Sequence, residues 1–261
     1  MTFVGWRAGV RVIAAGLVGL WLGAASAAET ATVTIGVYPY PPFGYVADGR
    51  HTGYAYDMIE AVVRRAGFAV AVEEVPVMRA VVMLRESTNL LIMATKTAET
   101  VARYEAHWPF CFETVTHALL MKKATRYSRL EDLPRDTVIG AFLGYTLKTH
   151  LAELGFTDIQ FASENGQVAD MLLHGRVEAW ASFESAAYYL LEAKGVGQDA
   201  VKSIPVQRFP FCVMASRNTS PDILARLHAA AAAIEADGTR AAIRARYARY
   251  LGPDLPLPAK P

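Results

Sequence analysis

VTIGVYPYPPF, residues 33–43, decides the architecture. An apolar run rich in β-branched residues passes straight into Tyr38-Pro39-Tyr40-Pro41-Pro42-Phe43, whose prolines forbid both a helix and an inner strand. A strand therefore ends here in a rigid, aromatic-rich loop. Beyond it Gly49 and Gly53 enclose a polar turn, after which Asp57, Ile59, Val62, Val63 and Ala66 recur at helical spacing until Gly67, an αL stop. Residues 68–75 read as a second strand, 78–85 as a second helix and 90–94 as a third strand. Strand and helix alternate, which favours a parallel sheet.

The alternation starts again after Lys122. Strands are predicted over 138–142, 156–161 and 177–183, and helices over 144–154, 166–174 and 185–194, with Gly155, Gly175 and Gly195 closing the helices. A last strand over 211–215 precedes helices over 221–236 and 240–250, and residues 251–261, rich in proline, read as a flexible tail. The fold class is α/β. No heptad, solenoid period or low-complexity linker separates the halves, so one doubly wound domain and two lobes with a small sheet each satisfy the pattern equally.

With 261 residues the chain is long enough for one or two domains of about 150 residues each. A hydrophobic content of 53% with 20% charged residues excludes a disordered chain. The formal net charge is +1 and no Lys/Arg block is present, so nucleic acid is not an expected partner. At the amino terminus Arg7 and Arg11 flank an apolar centre over 12–23, followed by small residues over 25–28. That is a secretory signal, residues 1–28, cleaved near Ala27 or Ala28, and the expected destination is the periplasm. No cysteine follows the apolar centre, which argues against a lipid anchor. Losing this segment removes two arginines and no acid, leaving a mature chain with one net negative charge.

Cys111 and Cys212 share a Pro-Phe-Cys context. An oxidising compartment permits a bridge between them, and two separate buried thiols are the alternative.

Signatures for dinucleotides, P-loop phosphates, zinc proteases and serine hydrolases are absent, and the six histidines show no metal-ligand spacing. No cofactor and no metal is expected. Asp57, Glu60, Glu99 and Glu184 are acids that spacing alone does not bring together. What stands out is the chemistry of the strand exits: Tyr38, Tyr40 and Phe43 after the first strand, Thr95, Lys96 and Thr97 after the third, and Gly144, Tyr145 and Thr146 between a strand and a helix. Ligands of open α/β sheets bind beyond the carboxyl ends of the strands, where these loops meet. The 144–146 turn offers backbone N–H groups to an anion, with capping of the helix by Thr146 as the other reading. Phe43 either walls a ligand or plugs the core.

In order along residues 33–250, the segments VTIGVYPYPPFGY, DGRHTGYAYDMI, LLIMATKTAET, WPFCF, LEDLPRDTVIGAFLGYT and LLHGRVEAW resemble the extracellular solute-binding proteins of family 3, the polar-amino-acid-binding type. The resemblance implies the two-lobed type II periplasmic binding protein fold, with residues 30–109 and 214–250 forming one lobe, 113–210 the other, and two crossing strands between them. It also puts Cys111 and Cys212 on adjacent crossings, where a disulfide is expected. The implied function is capture of a small polar or carboxylated, amino-acid-like solute between the lobes, by a monomer that passes it to an inner-membrane ABC permease or a sensor.

Carried over position by position, Tyr38, Tyr40 and Phe43 wall the ligand, and Ala94, Thr95, Lys96 and Thr97 hold the amino-acid head group. The family's T-x-x-R arginine falls on Thr100 here, with Arg103, Arg79 and Lys96 as candidate substitutes; lysine lacks the bidentate fork. In the second lobe Gly144 matches the family glycine, Tyr145 adds bulk, and the acid that receives the ligand ammonium falls on Phe183 or Glu184. Trp180 is either core packing or a ligand platform. Two further readings of the same fold stand beside transport: a dehydratase-like or peptidoglycan-acting enzyme using Glu99, Glu184 or Lys96, and a binding protein serving signalling or the assembly of a periplasmic oxidoreductase.

Overall fold

The computed structural model describes residues 1–2, 31–76, 79–143 and 147–255. The expected signal over 3–28, Met78 of the second predicted helix, and Gly144, Tyr145 and Thr146 lie outside the described residues, as do 256–261.

Ten strands and nine α-helices are assigned among the described residues. In the first half, β1 (Thr32–Val37) lies between β4 (Ala69–Glu74) and β5 (Leu90–Thr95), all parallel. α1 (Tyr54–Arg65) and α2 (Ala80–Glu86) make the crossovers. In the second half, β7 (Ile139–Phe142) lies between β8 (Ile159–Ala162) and β9 (Ala179–Phe183), again parallel. Here α4 (Leu147–Glu153) and α5 (Asn165–Leu173) make the crossovers. The alternation read from sequence is thus realised twice, once on each side.

Two long antiparallel strands join the halves: β6 (His107–Lys122) and β10 (Val201–Ala215). The last residues of β10 pair with β5 and the last residues of β6 pair with β9, giving a continuous order β4-β1-β5-β10-β6-β9-β7-β8. The architecture is therefore two-lobed, each lobe a small mixed sheet flanked by helices. A sequence reading predicts only 211–215 of these strands: Pro205 and Pro210 argue against the rest of β10, and the proline-free run 110–122 of β6 is missed. Pro205 and Pro210 are accommodated beside irregularities in the ladder, at Pro205/Gln207 and Phe211/Cys212, where a missing N–H costs little.

Local chemistry sets the remaining elements. The polar turn closed by Gly49 forms a two-stranded hairpin, β2 (Tyr45–Ala47) with β3 (Arg50–Thr52). Gly53 then starts α1 at φ 122°, and a Cβ there would sit 2.5 Å from the Phe43 carbonyl oxygen, so only glycine fits. α1 buries Tyr54, Met58, Ile59, Val62 and Val63, one helical stripe, against the sheet and α7 (Pro221–Ala236). α3 (Ala98–Tyr104) and α6 (Glu184–Ala193) follow β5 and β9. The predicted helix over 240–250 is split into α8 (Thr239–Arg246) and α9 (Ala248–Leu251) at Tyr247, whose hydroxyl donates to Asp57 at 2.6 Å.

The expected free tail is tied down as far as Asp254. Arg240 donates to its carboxylate at 2.9 and 3.1 Å, and Arg244 donates to the Gly252 carbonyl at 2.9 Å. These arginines lie on α8, so the chain is held where it leaves the helix pair.

Cys111 and Cys212 face each other in the β6–β10 ladder and form a disulfide that closes a sequence separation of 101 residues. Cross-linking so long a loop removes denatured-state entropy, a stabilisation of about 2–4 kcal/mol. Reduction, or the Cys111→Ala/Cys212→Ala double variant, is therefore expected to lower the thermal midpoint by roughly 5–15 °C. Calorimetry with and without reductant measures this, and an unchanged midpoint would contradict the bridge.

Candidate functional site

The site begins with the prolyl loop. The Tyr40 N–H donates to the Gly44 carbonyl at 2.7 Å, and the N–H groups of Phe43 and Gly44 donate back to the Tyr40 carbonyl at 2.9 and 3.2 Å. Closed on itself in this way, the loop projects the Tyr40 ring from the first half toward the second. Phe183, the last residue of β9, meets it edge-on at 5.5 Å, and Phe142, the last of β7, lies at 6.1 Å. Phe43 stacks behind Tyr40 at 6.2 Å and packs on Phe211 at 4.7 Å.

An inner cavity of about 70 Å³ lies among Tyr38, Tyr40, Thr95, Phe142, Phe183 and Phe211, with Met93, Met214, Thr100 and Tyr104 completing much of its wall. It sits beside an outer cleft of about 640 Å³ bounded by residues 38–41, Pro76, Phe142, Leu143, 163–166 and Leu190. Both halves contribute to each space. No charged side chain is among the described residues that wall the inner cavity.

Of the residues expected from sequence, Tyr38, Tyr40, Ala94, Thr95 and Phe183 are brought together around this cavity. Phe43 is fully buried behind it, one of the two roles open to it. Thr97 is occupied as the N-cap of α3, accepting from the Thr100 N–H at 3.0 Å. The charged candidates sit elsewhere. Lys96 lies over the Trp108 ring at 5.9 Å, Arg103 is exposed beside Tyr104, and Arg79 is exposed at the start of α2. Glu184 opens α6 and accepts from the Ser203 hydroxyl at 2.5 Å, on the side of the sheet away from the cavity, with Glu99 exposed on α3. Lys96 lies just past the end of β5 and Glu184 opens α6, so the chain leaves the cavity immediately after Thr95 and Phe183. Trp180 is a core residue, its indole N–H donating to Asn165 at 2.9 Å.

Sequence reasoning missed Met93, Phe142, Phe211 and Met214. Phe142 ends a parallel strand, the signal that singled out the other exits, and Phe211 stands in the repeated Pro-Phe-Cys context.

Residues 33–250 match the bacterial extracellular solute-binding proteins, family 3. The chain belongs to this family. No match is found among the curated proteins. Several solved structures share the fold of this family 3 protein. A histidine kinase sensor domain with similarity to periplasmic binding proteins aligns at TM-score 0.73 and 17% identity, over 86% of this chain and 98% of that one. The substrate-binding protein of an ABC uptake transporter from Streptococcus pneumoniae, with bound histidine, aligns at 0.72 and 17%, over 85% and 94%. The arginine-, lysine-, histidine-binding protein of Geobacillus stearothermophilus aligns at 0.69 and 17%, over 86% and 96%. At these identities the likeness concerns the fold. Among the described residues no helix is long and apolar enough to cross a membrane, and no group of three His, Cys, Asp or Glu side chains is placed to hold a metal.

Polar atoms at the family 3 site are sparse and mostly engaged. The Thr100 hydroxyl donates to the Thr95 carbonyl at 2.8 Å and accepts from the Thr97 N–H at 2.8 Å. Tyr38 donates to the Met93 carbonyl at 3.3 Å. The Tyr40 hydroxyl is buried without a hydrogen-bond partner; it faces the Ser182 hydroxyl and the Phe183 backbone, neither at bonding geometry. Burial pushes both phenols well above their ordinary value, so both stay protonated.

Behind the cavity, buried His117 packs against Phe183 at 4.2 Å and Phe209 at 4.8 Å. Burial, helped by nearby His150, pushes its imidazole well below the ordinary value. The folded state therefore holds His117 neutral while the unfolded chain takes up a proton below about pH 6.5, so stability falls as pH drops through that value. Two carboxyls raised by burial, Asp57 and Glu113, act with the opposite sign, so the comparison with His117→Leu isolates the imidazole. From pH 7.5 to 5.5 the wild type is expected to lose about 1.4 kcal/mol more than His117→Leu, measured by urea denaturation. Parallel pH profiles would show that His117 does not titrate in this way.

Proposed function

We propose that this family 3 protein captures a small, amino-acid-sized solute in the cleft between its halves and presents the loaded form to a membrane partner, an ABC permease. One observation carries the reading: Tyr40 from the first half and Phe142 and Phe183 from the second converge on one cavity, so a solute there touches both halves at once. A ligand with contacts on both sides binds the closed arrangement better than the open one and shifts that population. The bound histidine of the Streptococcus pneumoniae relative and the arginine, lysine and histidine of the Geobacillus stearothermophilus relative support a solute of amino-acid size. The candidate acids Glu99 and Glu184 do not converge with Lys96 on the cavity, which favours binding over catalysis.

On this reading the chain acts as a periplasmic monomer after cleavage near Ala27 or Ala28. Residues 30–109 with 214–250 and residues 113–210 move as the two lobes, and the binding set is centred on Tyr38, Tyr40, Ala94, Thr95 and Phe183. A thermal-shift screen against amino acids, amines, small organic acids and sugars tests capture. A true solute at a hundred times its Kd stabilises by about 2.7 kcal/mol, and a screen that leaves the midpoint unmoved counts against the proposal. Arg79→Ala and Arg103→Ala are expected to keep affinity within about twofold of wild type, because exposed charges outside the cavity contribute little. A loss beyond tenfold in either, by titration calorimetry, would move the carboxylate site onto that arginine.

A further inference from the structure

From the make-up of the inner cavity and its mouth we infer that the solute carries an aromatic ring, and that this ring, uncharged, is the part that lodges between the two halves, its edge in the inner cavity, which is smaller than a whole ring, and its body in the adjoining cleft at Tyr38, Tyr40 and Phe142. The inference rests on the solute-capture reading and names the class of molecule captured. Three observations lead to it. The cavity is walled by aromatic side chains from both sides, Tyr40 and Phe211 from the first half and Phe142 and Phe183 from the second, with Met93 and Met214 also lining it. Aromatic and thioether walls favour a ring over a polar or flexible aliphatic group, since edge-to-face and sulfur contacts add to the gain from burial.

Charge is the second observation. An ion drawn into this space would lose its hydration and meet no opposite charge among the described wall residues, so cationic side chains and carboxylates are excluded from it. The T-x-x-R position supplies Thr100, only 2% exposed, whose hydroxyl is already spent on the backbone of its own turn. Charged or zwitterionic ends of the solute belong in the wider outer cleft, which touches the inner cavity at Tyr38, Tyr40 and Phe142.

The third is the Tyr40 hydroxyl. It is buried, protonated and without a hydrogen-bond partner, on a residue 5% exposed that lines both spaces. A buried group of this kind calls for a partner, and a polar atom of the solute in the adjoining cleft is placed to supply it. A ring bearing one neutral hydroxyl or ring N–H answers it.

Titration calorimetry on the protein, unfolded and refolded to strip retained solute, separates the classes. The probes are p-cresol, indole, L-tyrosine and L-phenylalanine on one side, and L-arginine, L-glutamine and L-leucine on the other. The ring-bearing set is expected to bind at least tenfold more tightly than any member of the second. Tyr40→Phe, which keeps the ring and its packing, is expected to weaken p-cresol and L-tyrosine by roughly fivefold to tenfold while leaving L-phenylalanine unchanged. Tighter binding of L-arginine, L-glutamine or L-leucine overturns the aromatic class and leaves solute capture standing. Silence from all seven overturns the aromatic class, while solute capture itself falls only if the wider thermal-shift screen is silent too. Equal loss for L-tyrosine and L-phenylalanine in Tyr40→Phe, or no loss for either, overturns the role given to the hydroxyl.

Discussion

The antiparallel pairing of β6 with β10 is the constraint on which the rest depends. Each strand is long enough to belong to both halves, and each half adds its three parallel strands to the outer side of one of them. Over the middle of the ladder, Val115 and Thr116 pair with Phe209 and Arg208 and have no outer strand partner, so the connection between halves narrows to two strands. The disulfide sits at the first-half end of this narrow stretch, one register step from Phe211. Neighbouring strands linked in this way can twist together but cannot slide past one another, which preserves the alignment of the two cavity walls.

Around that pair the molecule sorts its side chains by polarity. Phe43, Phe112, Phe183 and Phe211 pack across the junction in one continuous aromatic core that reaches the inner cavity. The buried charges gather where α1 and α8 pack against β6. Buried Glu113 accepts from Arg244 at 2.9 Å and from the Tyr54 hydroxyl at 3.0 Å, and Asp57 pairs with Arg246 at 3.0 Å. Buried charge is tolerated there because each carboxylate has two donors or more, whereas the cavity face holds hydroxyls and rings.

Legibility from sequence followed the range of the interaction. Helices such as α1 and α7 are written in spacing and capping over a few residues, with Ser220 and Pro221 opening α7 and Gly53 opening α1. Most of β10 is not legible as a strand, because Pro205 and Pro210 argue against one locally and only cross-chain pairing with bulges overrides them, whereas β6 carries a proline only near its start and its proline-free run 110–122 is missed. The split of the last helix at Tyr247 is likewise absent from the local pattern: Tyr247 leaves helical geometry at φ −112°, ψ 5°, where its hydroxyl joins Asp57, far away in the chain.

The amino-acid order alone determined the α/β alternation in two units, the loops at the strand exits, the absence of cofactor motifs and the resemblance to the solute-binding family, because each is a property of neighbouring residues. Which member of each exit faces the cavity was decided only by the tertiary structure. Thr95 and Lys96, or Phe183 and Glu184, are adjacent in the chain, yet the first of each pair lines the cavity and the second, past the strand end, does not, and where the strand meets the cavity depends on its pairing register. That register is set by pairing with β10 and β6, more than sixty residues away in the Phe183–His117 pair, so no local pattern contains it.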